Sequence, residues 1–149
     1  MSEVVELEIP AQADFLDVAR MVVTTAAAIE PTFPDDRISD LRLAVSEACT
    51  NAIEAQALNA ANDRIVIRCD LAEDRVEVEV RDRGGGFDPG NLDELPSATD
   101  PTRLQHERGL GISLMRTVTD ETEFRAESGG TSVRLVVYSE RRIDDDQAS

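Results

Sequence analysis

The chain has 149 residues, 41% of them hydrophobic, which is enough for the core of a single domain. Its formal net charge is -16, and all 15 basic side chains are arginines because the sequence contains no lysine. Such an acidic chain is repelled by DNA, RNA and anionic lipid, so we expect no direct nucleic-acid partner and no membrane partner. The lack of lysine also excludes a P-loop, whose lysine contacts the transferred phosphates.

The cysteine and histidine content gives no sign of a metal site or a disulfide. Cys49 and Cys69 lie in apolar runs without metal-type spacing, and the sequence has one histidine. We therefore expect reduced, buried thiols and no zinc site. The sequence shows neither a signal peptide nor a long apolar run, which predicts a cytoplasmic protein.

The first third of the chain predicts one strand followed by two helices. Residues 4–9 alternate between apolar and polar side chains and indicate a half-buried strand. Apolar residues then recur at helical spacing over residues 11–29. After a proline-containing break, Asp35 or Asp36 can cap a second helix that continues to about residue 56.

The middle of the chain predicts a β-hairpin followed by a loop without periodicity. Residues 64–71 and 75–81 alternate as two strands joined by a short turn, with Ile65 and Val78 on the buried face. Residues 89–107 are polar and contain prolines. A long loop of this kind inside a compact domain is often a functional lid, so we expect these residues to close over a ligand.

The last part predicts a third helix over residues 109–119 and two strands over 121–127 and 131–137. Because helices and strands do not alternate singly, the order favours an α+β fold. We expect a two-layer sandwich: a mostly antiparallel sheet with helices on one face. The predicted domain covers residues 1–138, and residues 139–149 are expected to form a charged, disordered tail.

Three polar motifs interrupt these elements. The first, Glu47-Ala-Cys-Thr-Asn51, lies on the second predicted helix, where residues four apart share a side. A carboxylate there can accept a proton from a hydroxyl nucleophile, and an amide oxygen can bind Mg²⁺. Taken alone, the pair also fits a polar helix flank facing water.

The second motif, Asp82-Arg-Gly-Gly-Gly86, directly follows a strand. Its glycines allow a ligand to approach the backbone closely, and its aspartate can accept a hydrogen bond from an exocyclic amine such as that of adenine. The third motif, Arg108-Gly-Leu-Gly111, precedes the third helix, where amide groups favour an anion and Arg108 can pair with phosphate. Each glycine motif alone also fits an ordinary turn or helix start.

Taken in this order, the motifs resemble the histidine-kinase-like ATPase superfamily, also called GHKL, whose ATP-binding domain has the Bergerat fold. Two segments, residues 44–53 (AVSEACTNAI) and 109–115 (GLGISLM), resemble the RsbW-type anti-sigma factor serine kinases. The triplet Thr119-Asp-Glu121 fits the same pattern. The resemblance covers residues 4–138.

The resemblance implies a role for each motif residue in binding ATP and Mg²⁺. Glu47 would be the general base, Asn51 the Mg²⁺ ligand and Asp82 the residue that recognises the adenine amine. Thr131 would help to hold adenine through water. The remaining residues would form the wall beside the adenine base or bind the phosphates: Gly84, Gly86, Arg108, Gly109, Leu110 and Gly111.

The resemblance also implies partners. Members of this family phosphorylate a serine or threonine of a STAS-domain anti-anti-sigma factor. They also hold an alternative sigma factor in an inactive complex, usually as a homodimer, and thereby regulate transcription in a stress response. By the same resemblance Arg20, on the first helix, would contact a partner.

One departure from the family pattern leaves an alternative function open. Family members often carry a histidine and an aromatic residue shortly after the asparagine, where this chain has residues 54–58 (EAQAL). The alternative is a nucleotide-gated anti-sigma binding module with little or no kinase activity. A detached sensor-kinase catalytic domain is disfavoured because the only histidine, His106, lies in the predicted lid and not in a phosphoacceptor helix.

Overall fold

The computed structural model describes residues 3–31, 33–58, 64–82, 113–127 and 130–140. Residues 113–118 are helical within this part of the chain. The other elements, in chain order, are β1 (Glu3–Pro10), a 3-10 turn (Ala13–Phe15), α1 (Leu16–Ala27), α2 (Asp35–Leu58), β2 (Arg64–Leu71), β3 (Arg75–Asp82), β4 (Glu121–Glu127) and β5 (Gly130–Tyr138).

The five strands form one sheet in the order β1-β2-β3-β5-β4, and all four described pairings are antiparallel. The predicted hairpin is confirmed as β2 and β3, and the two predicted C-terminal strands as β4 and β5. Because β5 lies next to β3 and runs antiparallel to it, the end of β3 and the beginning of β5 lie side by side.

One face of the sheet carries the core. Alternate residues of β2, β3 and β5 are buried on this face, as the period of two in each strand predicts. Helix α2 packs across β2, β3 and β5, and α1 packs on β1 and β2. The largest fully buried side chains come from both layers: Ile9, Leu41, Ile65, Ile67, Met115 and Leu135. The predicted α+β sandwich is therefore confirmed.

The opposite face of the sheet is lined by charged side chains. One row across all five strands alternates in sign, because the register places Glu6, Arg68, Glu79, Arg134 and Glu123 side by side. Opposite charges on directly paired residues stabilise a sheet by roughly 0.2–1 kcal/mol each. This charged row agrees with a sandwich that has helices on one face.

The beginnings of both helices differ from the sequence prediction. Helix α1 begins at Leu16 because Ala13–Phe15 form a 3-10 turn. Asp35 and Asp36 lie in the first turn of α2 and do not cap it. The carbonyl of Pro34 accepts the first amide hydrogen bonds, from Arg37 (3.1 Å) and Ile38 (3.0 Å).

Several predictions concern residues outside the described part of the chain. They are the lid over residues 89–107, the beginning of the third helix and the tail from residue 141. In the described ranges, no helix is both long enough and apolar enough to span a membrane.

Candidate functional site

A buried arginine fixes the beginning of α2 against the sheet. Arg37 is 2% exposed. Its Nε donates to the carbonyl of Tyr138 at 2.9 Å, and a terminal nitrogen donates to Asp120 Oδ2 at 2.6 Å. The other terminal nitrogen donates to Asp40, one turn further along α2. Helix α2 is therefore attached to the end of β5 and to the residue before β4.

This attachment places the second half of α2 towards the other end of the sheet. Asn51 lies 14 residues after Arg37, about 21 Å along the helix axis. Thr131 lies seven residues before Tyr138, about 23 Å back along β5. Because α2 is attached at its beginning to the end of β5 and also contacts β3 and β5, we infer that Asn51 and Thr131 lie towards the same end of the sandwich.

Glu47 and Asn51 lie one helical turn apart on α2, at the edge of the core. Glu47 is half-buried, and Asn51 is only 6% exposed. Between them, Ala48 and Cys49 are fully buried. Among the described residues, the buried amide nitrogen Nδ2 of Asn51 has no hydrogen-bond partner. An unsatisfied buried amide costs about 1–3 kcal/mol, and a bound ligand could remove that cost.

Asp82 and Thr131 face each other across the β3–β5 ladder. Asp82 is the last residue of β3, and the register pairs it directly with Thr131 near the beginning of β5. Both are buried, at 8% and 2% exposure, and both follow the alternation of the core face. Two residues that the sequence places 49 positions apart thus form one polar patch at the end of an apolar surface.

The glycine motifs lie outside the described residues. This applies to Gly84 and Gly86 after β3, and to residues 108–111 before the helical segment 113–118. Their assigned contacts with ATP therefore stay predictions. The described neighbours of these motifs are Asp82 on one side and Ser113 on the other.

The donor set at Asn51 fits Mg²⁺ bound mainly through phosphate. Among the described residues, no three His, Cys, Asp or Glu side chains come together as a metal site. Mg²⁺ usually keeps several waters and takes one or two protein ligands beside substrate phosphates. A single amide oxygen from Asn51 would meet that requirement, with its Nδ2 left to donate to an acceptor on the ligand.

Arg20 lies on α1, away from the polar patch of Asp82 and Thr131. Its guanidinium forms an ion pair with Asp17 one turn earlier, and its side chain is 30% exposed. It also lies close enough to α2 to act on Cys49. Burial raises the pKa of the Cys49 thiol to about 12, and the charge of Arg20 opposes this rise. The contact of Arg20 with a partner protein therefore stays a prediction, at a side chain that is partly exposed.

Sequence reasoning missed two features of this region. Glu54 lies three residues after Asn51 on the same side of α2, and its Oε2 is shielded from solvent. The sequence drew attention to Glu54 only as a departure from a family pattern. The ion pair of Arg37 with Asp120 was also missed, because their separation of 83 residues leaves no local signal.

The sequence of residues 9–137 matches the family described as the histidine kinase-like ATPase domain. Among curated proteins, the serine-protein kinase RsbW of Bacillus subtilis is 33% identical over 97% of this chain and 92% of its own length. The RsbW of Bacillus pumilus is 34% identical over 97% and 91%.

Among solved structures, the fold is similar to the crystal structure of the RsbU and RsbW domains of a Mycobacterium tuberculosis protein. The TM-score is 0.64 at 20% identity, over 91% of this chain and 31% of that longer chain, so this likeness supports the fold alone. The family match over residues 9–137 and the near full-length similarity to RsbW sequences show that the chain belongs to the histidine kinase-like ATPase family and, within it, to the RsbW serine-protein kinases.

Proposed function

We propose that the chain binds Mg-ATP at the polar end of the sandwich and transfers the γ-phosphate to a serine or threonine of a STAS-domain anti-anti-sigma factor. In the same proposal it sequesters an alternative sigma factor. The observation that carries the nucleotide site is the buried amide of Asn51, one turn after half-buried Glu47. The near full-length similarity to RsbW kinases supports the phosphotransfer.

In this mechanism Asp82 accepts a hydrogen bond from the adenine amine, and Thr131 supports it from the neighbouring strand. Neither side chain is on a helix, so the base is held by the sheet and the phosphates by α2. The hydroxyl proton of the substrate serine passes to Glu47 while its oxygen bonds to the γ-phosphorus. The bond from that phosphorus to the β-phosphate oxygen breaks, and ADP leaves.

Mg²⁺, when bound, would neutralise charge on the phosphates. Asn51 is the residue of this chain that would hold it. Because the Asn51 side chain is buried among core residues, its position is set by the packing of α2 and not by the ligand. An Asn51 side chain fixed in this way would orient the metal-bound triphosphate relative to Glu47.

The test of the catalytic role is phosphotransfer by Glu47→Gln. This substitution keeps the shape and the hydrogen-bonding capacity of the side chain but removes its basicity. We expect the rate of phosphate transfer from labelled ATP to a STAS-domain protein of the same organism to fall at least a hundredfold. Mg-ATP affinity, measured by calorimetry, should change less than threefold.

Glu73→Gln is the matched control, because Glu73 lies in the turn after β2 at the opposite end of the sheet. It should transfer phosphate at the parent rate. Full transfer by Glu47→Gln would reject the role of Glu47. An absence of Mg-ATP binding by the parent chain would reject the nucleotide site itself.

A second candidate is an anti-sigma module that binds nucleotide without transferring phosphate. Glu54 favours it, because it begins the stretch in which this chain departs from the family pattern and adds a carboxylate on the same side of α2 as Asn51. A further negative charge near the phosphates would oppose transfer. Intact-mass spectrometry separates the two functions: a stoichiometric gain of phosphate on the STAS-domain protein would eliminate the non-catalytic module.

The partners follow from the same proposal. We expect Arg20 to contact the sigma factor, and we expect two copies of the chain in the complex. Arg20→Ala should weaken sigma-factor capture at least tenfold while leaving Mg-ATP affinity unchanged. Analytical ultracentrifugation of the chain alone tests the homodimer, since a monomer mass at micromolar concentration would contradict it.

A further inference from the structure

An apolar cleft of about 370 Å³ lies at the end of the sheet opposite to Asp82 and Thr131. It is formed where the beginning of β1, the end of α1 and the turn between β2 and β3 meet. Its lining includes Val5, Ala26, Leu71 and Val76. None of the residues that line the cleft belongs to the proposed nucleotide site.

Two aliphatic side chains that line this cleft are exposed to solvent. Ile29 is 73% exposed and Val4 is 47% exposed, and both line the cleft. Burying apolar surface gains about 25 cal/mol per Å². Exposed aliphatic side chains beside a concave apolar surface are a feature of binding grooves more than of ordinary surface.

The charged residues that line the cleft are of one sign. Three carboxylates line it, those of Glu3, Glu30 and Glu73, and no arginine is among the described residues that line it. A second copy of the chain would bring the same carboxylates against these, which disfavours self-association here. Phosphate groups of nucleic acid or lipid are disfavoured for the same reason.

The adjacent strand is also open to a partner. β1 is an edge strand, and among the described residues no strand pairs with its outer side. An extended segment can add to such an edge through main-chain hydrogen bonds while alternate side chains enter a neighbouring pocket. The outer edge of β1, an apolar cleft and three carboxylates thus lie next to each other.

We propose that this cleft is a second docking surface, and that its occupant is an extended protein segment with aliphatic side chains next to arginine or lysine. The aliphatic groups cover Ile29 and Val4, and the cations pair with Glu3 and Glu73. The surface is independent of the nucleotide, so it can be tested on the nucleotide-free chain.

The experiment uses three labelled ten-residue peptides: alternating Leu-Arg, alternating Ser-Arg and alternating Leu-Glu. Binding to the nucleotide-free full chain is measured by fluorescence anisotropy at physiological salt. We expect the Leu-Arg peptide to bind at least about tenfold more tightly than each of the others, which is 1.4 kcal/mol. In ¹⁵N NMR, its shift changes should be confined to residues of β1, the end of α1 and the turn between β2 and β3.

Two pairs of variants locate the site. Ile29→Ser and Glu73→Arg, at the cleft, should each weaken Leu-Arg binding about tenfold. Met21→Ser and Asp14→Arg make comparable changes at exposed positions that do not line the cleft and should have no effect. All four positions are on the surface, so the variants should fold.

Three outcomes would overturn the proposal. They are equal binding of the Ser-Arg peptide, equal loss in the control variants, and no Leu-Arg binding at about 1 mM. The last would leave the proposed kinase untouched, because none of these measurements involves nucleotide.

Discussion

Arg37 and Asp120 form an ion pair of 2.6 Å with both side chains almost fully buried, at 3% and 2% exposure. The carboxylate oxygen that accepts from Arg37 also accepts from the backbone amide of Tyr138, at 2.8 Å. A single carboxylate oxygen of Asp120, the residue before β4, therefore connects α2 with the end of β5. We expect this contact to stabilise the fold and to set the position of α2.

Arg37→Met should lower the free energy of unfolding by about 3–5 kcal/mol, because it leaves a buried carboxylate without its cation. Urea unfolding followed by circular dichroism measures this change. The matched control is Arg125→Met, which breaks an exposed pair with Glu123 and should cost less than about 1 kcal/mol.

The double variant Arg37→Met/Asp120→Leu should recover part of the lost stability, because it removes the unpaired charge as well. A double variant as unstable as the sum of its single variants would show that the two side chains act separately.

Asn51→Leu should raise the stability of the chain and abolish its binding of Mg-ATP. The substitution replaces a buried amide, whose nitrogen has no partner among the described residues, with an apolar side chain of similar size. We expect the nucleotide-free chain to gain about 1–2 kcal/mol in unfolding free energy. Mg-ATP binding, measured by calorimetry, should be lost. A less stable variant would show that the amide has an essential partner within the protein.

Asp82→Ala should weaken ATP binding at least tenfold and reduce the preference for ATP over GTP, because the acceptor for the adenine amine is gone. Thr131→Val removes the hydroxyl from the paired position at nearly constant shape, and we expect a smaller loss of about threefold. Ser132→Ala, on the opposite side of β5, is the control and should bind ATP normally. Competition calorimetry with ATP and GTP gives both affinities.

Stability should fall with rising pH between about 9 and 12. Burial raises the pKa of Cys49 and of Cys69 from 9.0 to about 12, with Arg20 opposing the rise at Cys49 and Asp70 adding to it at Cys69. Above pH 9 the unfolded chain releases thiol protons that the folded chain retains, so ionisation favours unfolding. Urea midpoints measured from pH 8 to 11 test this slope.

The composition makes that measurement unusually direct. The sequence contains no lysine and one tyrosine, Tyr138, so few other side chains titrate in this range. The double variant Cys49→Ala/Cys69→Val should lose most of the slope. An equal slope in the double variant would assign the alkaline loss of stability to other groups.

The sheet and its core face could be predicted from the sequence because they depend on local alternation. The strands β2 and β3 alternate without a break, and Ile65, Val78 and Leu135 all lie on the buried face. The extra turn before α1 and the cap of α2 could not be predicted, because neighbouring residues near each helix start have similar propensities. Which of them begins the helix depends on tertiary packing.

The candidate site could be predicted in part. Glu47 and Asn51 share a side of α2 because their spacing of four residues matches the helical turn. The pairing of Asp82 with Thr131 depends on the strand order, which places β5 beside β3 although β4 comes first in the chain. Such long-range register leaves no signal in either segment alone. The same reason hides the contact between Arg37 and Asp120.

Strand β3 begins beside the acidic cleft and ends at Asp82. Val76 and Asp82 are six positions apart, which is about 20 Å of extended strand. Side chains of a peptide in the cleft and a nucleotide at Asp82 would lie at opposite ends of β3, so one chain could hold both ligands. Affinity changes caused by substitutions at the two ends of the strand should be additive. A departure from additivity would measure the energetic coupling between the two binding sites through the sheet.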